Sequence, residues 1–299
     1  MTAGQAFTAF APAKLNLGLE VLGRRHDGYH TLWSLVVFAD IGDRLSYRPG
    51  ARFALELAGP FGGSLEGEAE NLVDRAAHLL AEREGMMPTG TLRLEKNLPV
   101  ASGIGGGSAD AAATLRLLNL AWEAERSEAS LKALGLELGA DVPVCVGSRP
   151  AVMSGIGERL ETAPALPSFG LVLVNPGLQV PTGKVFKQLA SPERDPMPVH
   201  GPSPSSFRNL DELIAFLKGH PNDLEAPARA VAPEIGDVIG AIAAAPSCRL
   251  ARMSGSGATC FGIFDSRAEA DRAAAALRAA EPQWWCVAAG LYTRGEADL

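Results

Sequence analysis

The sequence predicts an α+β fold, and three observations carry that expectation. Strand-like apolar runs occur in both halves of the chain, and segments with helical periodicity are interleaved among them. At 299 residues the chain also exceeds what one hydrophobic core usually serves, so two closely packed domains are expected. A hydrophobic content of 47% with 20% charged residues is that of an ordinary globular protein. The formal net charge of −7 argues against a nucleic-acid partner, whose surface would need a clustered positive field, so any polyanion must be held locally.

Taken in order, Leu15, Leu17, Leu19 and Val21 alternate with smaller or polar residues, 32–37 is an apolar run after a turn, and Phe53, Leu55 and Leu57 alternate again. These read as three strands. His26 and His30 are spaced as on a helix, but Asp27-Gly28 would break one, so a hairpin loop is expected there instead of a metal site. Asn71 reads as the N-cap of a helix with Leu72, Val73, Ala76, Leu79 and Leu80 on one face, ending near Gly85. A short strand over 91–94 leads into a glycine loop and a helix starting near Ser108. Residues 127–137, with Leu131, Leu134 and Leu138 at helical spacing, form a further helix, and Gly139-Ala140-Asp141-Val142-Pro143 reads as a helix-to-strand junction.

Beyond Pro150 a hairpin is expected around Gly155-Ile156-Gly157, followed by a connector at Pro164 and Pro167, which divides the chain into 1–160 and 161–299. The second part opens with the buried-strand run 171–174 and has a Pro/Ser-rich loop at 191–206. Helices follow over 211–218, 224–231 and 233–244, then a strand over 259–264. Ser266-Arg267-Ala268-Glu269 is a capping box for a helix to Ala280, and a last strand covers 285–291. Cys145, Cys248, Cys260 and Cys286 lie in apolar, strand-like surroundings without a Cys-x-x-Cys pair, so buried, reduced thiols are expected. Residues 1–5 lack a basic stretch before a long apolar core, and no run approaches about 18 apolar residues, so no membrane association and a cytoplasmic location are expected.

The most informative segment joins Leu98-Pro99-Val100-Ala101-Ser102-Gly103-Ile104-Gly105-Gly106-Gly107-Ser108-Ala109 to an alanine-rich helix. Four glycines between Gly103 and Gly107 let backbone amides approach an anion without side-chain obstruction, and the helix adds its own N-terminal amides. The helix dipole contributes only about 0.3–1 kcal/mol at an exposed site, so converging amides must supply most of the affinity for a phosphate. Commoner phosphate signatures do not fit. Gly177 to Gly183-Lys184 has five intervening residues and continues with Val185, which fails a Walker A motif. A dinucleotide fingerprint would want glycine where Ser108 stands, and neither His-Arg-Asp nor Asp-Phe-Gly of protein kinases occurs.

Four segments together resemble the GHMP kinase superfamily: Pro12-Ala13-Lys14-Leu15-Asn16 with Gly23-Arg24-Arg25-His26-Asp27-Gly28-Tyr29-His30, the glycine loop, Gly139-Ala140-Asp141-Val142-Pro143, and Ser254-Gly255-Ser256-Gly257-Ala258. The motifs lie in order from residue 12 to residue 261, so the resemblance spans nearly the whole chain. It implies an N-terminal ribosomal-protein-S5-like domain, a C-terminal ferredoxin-like α/β-sandwich domain, and a substrate site between them. The segment from Gly23 to His30 narrows the resemblance to the branch that phosphorylates the 2-hydroxyl of cytidine diphosphate methylerythritol for isoprenoid synthesis.

Under that resemblance Asp141 is the general base and Lys14 orients it and stabilises developing charge. By residue type alone, Lys14 reads as a strand-end lysine reaching solvent and Asp141 as a turn-capping aspartate. The resemblance implies that residues 99–109, with Asn71 at the adenine pocket, hold ATP, and that Mg2+ arrives with the nucleotide, because clustered carboxylate ligands are absent from the sequence. Tyr29 and Phe186 would flank a cytosine ring with His30 at its edge, while Asn16 and Thr182 would contact the remainder of the substrate. Without the resemblance, Phe186 reads as core, Tyr29 as a turn aromatic, Asn71 as a cap and the Ser-Gly-Ser-Gly segment as a strand-entry turn. Two departures stand out. Ala109 replaces a serine common in relatives, which leaves Ser108 as the loop's hydroxyl, and Gly183 replaces a proline common after the threonine. A mevalonate- or homoserine-type kinase and a catalytically silent nucleotide sensor are the alternatives. The sequence does not specify the oligomeric state.

Overall fold

A long antiparallel hairpin organises the chain. β1 (Phe7–Arg24) and β2 (His30–Arg48) pair along their length in the computed structural model, which describes residues 7–65, 71–189 and 206–295. The turn between them holds Asp27 and Gly28, the latter at φ +89°, as the hairpin reading of that segment requires. The register slips between Pro12 and Lys14, between Asn16 and Gly18, and between Val21 and Gly23. Because side chains alternate with period two, each slip transfers the inward set to the other face. Ala9 and Ala11 therefore enter one core, Ala13, Leu15 and Leu17 a second, and Leu19 a third.

β2 is the hub of the first sheet, whose order is β3 (Ala54–Ala58), β4 (Thr91–Glu95), β2, β5 (Ala151–Gly155), β6 (Arg159–Thr162), with β1 and β11 (Leu291–Tyr292) also paired to β2. The second sheet is β10 (Trp285–Ala289), β7 (Gly170–Asn175), β9 (Cys260–Phe264), β8 (Cys248–Met253), antiparallel throughout. Helices α1 (Leu72–Arg83), α2 (Gly106–Ala121), α3 (Glu128–Leu138) and α4 (Val142–Gly147) supply the first core with β1 and β2. The two sheets share the second core with α6 (Leu210–Gly219). The outer face of the second sheet packs α7 (Glu225–Val231), α8 (Glu234–Ala244) and α9 (Arg267–Ala280). This layering explains the unbroken run 171–174: Leu171 and Leu173 face one core while Val172 and Val174 face the other. Full burial of each such side chain stabilises by about 1.5–3 kcal/mol.

The expected α+β class is correct, as are the caps. Asn71 Oδ1 accepts from the amide of Val73 at 2.9 Å, and Ser266 Oγ from that of Glu269 at 3.3 Å. Several boundaries differ. The helix after the glycine loop begins at Gly106 instead of Ser108, since the left-handed Gly105 caps it. Asp141 does not lead into a strand: it precedes α4, whose first turn tolerates Pro143 because amides there need no intrahelical acceptor. Cys145 is thus buried on a helix, and Cys248 is only partly buried, whereas Cys260 and Cys286 are buried strand thiols as expected. The strand expected over 285–291 is split, because Gly290 lets the chain leave β7 and pair Leu291 and Tyr292 with β2. β8 and the short helix α5 (Thr182–Gln188) have no counterpart in the sequence reading. The Pro/Ser-rich loop falls almost wholly outside the described residues. Among the described residues no helix is long and apolar enough to cross a membrane.

Candidate active site

The glycine loop is held by backbone bonds before any ligand is considered. Ser102 Oγ donates to the Pro99 carbonyl at 2.6 Å, and the Lys14 amide donates to that of Ile104 at 2.9 Å. Gly103 is at φ +76°, and a Cβ there would stand 2.6 Å from the Gly257 carbonyl and 2.7 Å from that of Ser254. At Gly105, φ +63°, a Cβ would press on the Lys14 side chain at 3.0 Å. These two positions require glycine on steric grounds. Residues 99–103 and 105–108 line a cleft of about 590 Å3, at the N-terminal end of α2. Helix N-termini and small concave backbone turns favour anions. Ile104 and Ala109 are buried behind that surface, and Asn71, beside Leu72, lines the cleft while capping α1.

Across the cleft floor, Lys14 Nζ donates to Asp141 Oδ2 at 2.7 Å. The first register slip in β1 aims Lys14 away from the core of Ala13 and Leu15, toward the helices, and α4 presents Asp141 at its start. Lys14 is 4% exposed in its side chain and Asp141 41%, so the carboxylate opens to the cleft while the ammonium lies beneath. A buried ammonium is costly without an anionic partner, and this pair supplies one. Asn16 is held by Nδ2 donating to Ser34 Oγ at 2.8 Å, which leaves its buried Oδ1 with no partner among the described residues.

The second glycine segment lies directly against the first. Ser254 Oγ accepts from the Asn16 amide and donates to the Gly103 carbonyl, both at 3.1 Å, and the Thr259 amide donates to the Ser102 carbonyl at 3.0 Å. Gly255, Ser256 and Gly257 complete the cleft wall, and Ser256 Oγ is 2.8 Å from Thr182 Oγ1 on α5. Thr182 and Phe186 line the cleft; His30 lies off its wall, stacked on Phe186. Tyr29 also stands outside the cleft lining, 61% exposed on the hairpin turn.

Sequence reasoning missed a buried charge cluster beneath the loop. Lys96 Nζ donates to Asp43 Oδ2 and, at 2.8 Å, to Asp110 Oδ2. Burial pushes Asp110 up to about 8, opposed by Lys96 and reinforced by Asp43. Burial works to lower Lys96, yet the two aspartates outweigh it and leave it raised. Asp110 alone carried a signal, a charge amid the alanines of a helix, whereas Lys96 reads as an ordinary strand-end lysine.

The fold and the facing glycine loops define the class. The profile described as GHMP kinases N terminal domain matches residues 71–149, and that described as GHMP kinases C terminal matches residues 204–283. The chain belongs to the GHMP kinases, and it is a kinase. A 4-diphosphocytidyl-2-C-methyl-D-erythritol kinase of Parvibaculum lavamentivorans is 51% identical over 93% of this chain and 96% of its own length. A kinase of the same name from Cereibacter sphaeroides is 53% identical over the same shares. A crystal structure of 4-(cytidine 5'-diphospho)-2C-methyl-D-erythritol kinase, 38% identical, superposes with a TM-score of 0.75 over 96% of this chain and all of that one. Homoserine kinase from Cytophaga hutchinsonii, at 16% identity and a TM-score of 0.69, shares the fold.

Proposed function

We propose that the protein transfers the γ-phosphoryl group of ATP to the 2-hydroxyl of 4-diphosphocytidyl-2-C-methyl-D-erythritol. The observation that carries this reading is the 2.7 Å contact between Lys14 and Asp141 in a cleft walled by both glycine segments. The substrate is drawn from relatives of that name at 51% and 53% identity. In this reading residues 99–103 and 105–108 receive the triphosphate through backbone amides, Asn71 flanks the adenine, and Ser108 contributes a hydroxyl. Residues 1–160 would carry the nucleotide, and 161–299 would bring Thr182, Phe186 and the second glycine segment to the acceptor.

The acceptor oxygen attacks Pγ, the bond from Pγ to the β-bridging oxygen breaks, ADP departs, and the hydroxyl proton passes to Asp141 Oδ. A carboxylate is a weak base toward an alcohol, so transfer of that proton belongs late in a loose phosphoryl-transfer transition state. Lys14 fixes the carboxylate and offsets the charge that gathers on the transferring group. The unpartnered Asn16 Oδ1 accepts from a hydroxyl of the polyol. Mg2+ would arrive with the nucleotide, beside the Ser108 hydroxyl that lines the cleft. Bound there, it would neutralise charge on the phosphates.

The reading is tested by ADP release from ATP and Mg2+ with the cytidyl acceptor, mevalonate, homoserine or none. Turnover with the cytidyl acceptor alone is expected. Turnover with mevalonate or homoserine instead would replace the substrate, and nucleotide binding without turnover would indicate a sensor.

A further inference from the structure

Both ends of the glycine loop are tied to one buried charge cluster. At the entrance, Asp43 Oδ1 accepts from the amides of Asn97 at 2.5 Å and Leu98 at 2.9 Å, while Oδ2 takes Lys96. At the exit, the same ammonium reaches Asp110 on the second turn of α2. Between the two, a Cβ on Gly106 would stand 3.0 Å from Lys96 Nζ, so loop backbone lies directly over the ammonium. All three side chains are buried, Lys96 and Asp110 border the cleft, and Asp110 Oδ1 has no hydrogen-bond partner among the described residues.

When both aspartates are ionised, as they become from about pH 8 upward, two carboxylates and one ammonium leave one excess negative charge under a surface shaped for phosphate. Such a charge opposes the incoming anion, and the effect is strong in a buried setting. We propose that Lys96, Asp43 and Asp110 are positioning residues for the nucleotide, and that Asp110 takes up a proton when a triphosphate seats on the loop. The inference rests on the kinase reading of the cleft. The cluster fixes where the loop amides point, and proton uptake removes the opposing charge as the phosphates arrive. Burial already pushes the Asp110 carboxyl up to about 8, so little work is needed to protonate it.

The groups facing Asp110 are few. Lys96 and Asp43 touch the cluster from the ends of β4 and from β2, and β1 contributes Lys14 beneath Gly105, itself paired with Asp141. From α4 the Cys145 thiol faces it, pushed up to about 12 chiefly by burial and so neutral. At this end of α2, α1 presents Leu72 to Gly107.

Calorimetry of MgATP binding in buffers of different ionisation enthalpy, near pH 8, reads the proton directly. Uptake of a substantial fraction of one proton is expected for the wild type, with affinity for ATP falling up to about tenfold per pH unit as pH rises through that region. Asp110→Asn should lose this uptake and this slope while the KM for the acceptor stays within about twofold, a pattern that mere loosening of the fold would not produce. Equal uptake in wild type and variant overturns the proposal, as does absence of uptake in the wild type. Should the variant fail to fold, carbon-13 spectra of aspartate carboxyls in the wild type decide. A carboxyl titrating near pH 8 that moves upward on adding ATP supports the proposal, and a stationary one overturns it. A wild type that binds no nucleotide removes the kinase reading as well, which separates the two failures.

Discussion

His30 lies stacked on Phe186, with ring centroids 4.9 Å apart and planes inclined by 27°. The two rings come from the first residue of β2 and from α5, 156 residues apart in sequence. The second ring lines the cleft, so it offers an aromatic ligand a surface to stack on there.

Phe186→Ala should therefore raise the KM for the cytidyl acceptor by about fivefold to 150-fold, since stacking on a base is worth about 1–3 kcal/mol. The KM for ATP should not change. Steady-state kinetics with each substrate varied separately checks this, and an unaltered acceptor KM would remove Phe186 from the base pocket.

His30 is held below its ordinary value by burial and, secondarily, by the neighbouring Arg24. The ring is thus mainly neutral above the ordinary imidazole value of 6.5 and gains a proton only on its acid side. The acceptor KM should be flat with pH above 6.5 and should rise below it in the wild type. His30→Gln should abolish that rise, as pH profiles of kcat/KM for the acceptor would reveal.

Asp141→Asn preserves the shape of the Lys14 contact but removes the proton acceptor. Turnover should fall by about 10²–10⁴-fold with ATP affinity nearly unchanged. Wild-type turnover in this variant would cancel the base assignment. Lys14→Met should cost about 10²–10³-fold in kcat, the range found when one stabilising donor to a developing anion is removed.

Gly103→Ala introduces a Cβ into a backbone contact of 2.6 Å at φ +76°. It should destabilise the fold by about 1–3 kcal/mol and abolish nucleotide binding. Gly183 provides the contrast, because nothing lies within 4 Å of its would-be Cβ and it sits inside α5. Gly183→Ala should be neutral or stabilise by about 0.5–1 kcal/mol. Thermal unfolding of the two variants measures the difference.

Glu128 pairs with Lys132 one turn on in α3 and ties that helix to Arg149 and Arg294. Burial alone would raise it, but hydrogen bonds from Lys132 and Arg149 and their charges pull it down to about 2. A carboxyl depressed in the folded state contributes stability above its unfolded value near 4.5, and that contribution is lost as pH falls toward 2. The side chain is one-third exposed, so solvent screening reduces the contribution to about 1 kcal/mol. Glu128→Gln should lower stability at pH 7 by that order and flatten the acid limb of a denaturant-midpoint profile against pH.

The local sequence determined what local physics controls. Asn71 and Ser266 cap their helices because their side chains reach amides two or three residues on, and the run 171–174 declared a strand buried on both faces. Gly103 and Gly105 were legible as a tight turn suited to phosphate, and the family resemblance attached Lys14 and Asp141 to it. Tertiary structure decided everything that depends on residues meeting across the chain. The slips in β1 direct Lys14 at Asp141, Ser254 locks one glycine segment onto the other, and Lys96 gathers Asp43 and Asp110 under the loop. A strand-end lysine has the same periodicity whether its ammonium meets water or two buried carboxylates. Only the packing that excludes water distinguishes them.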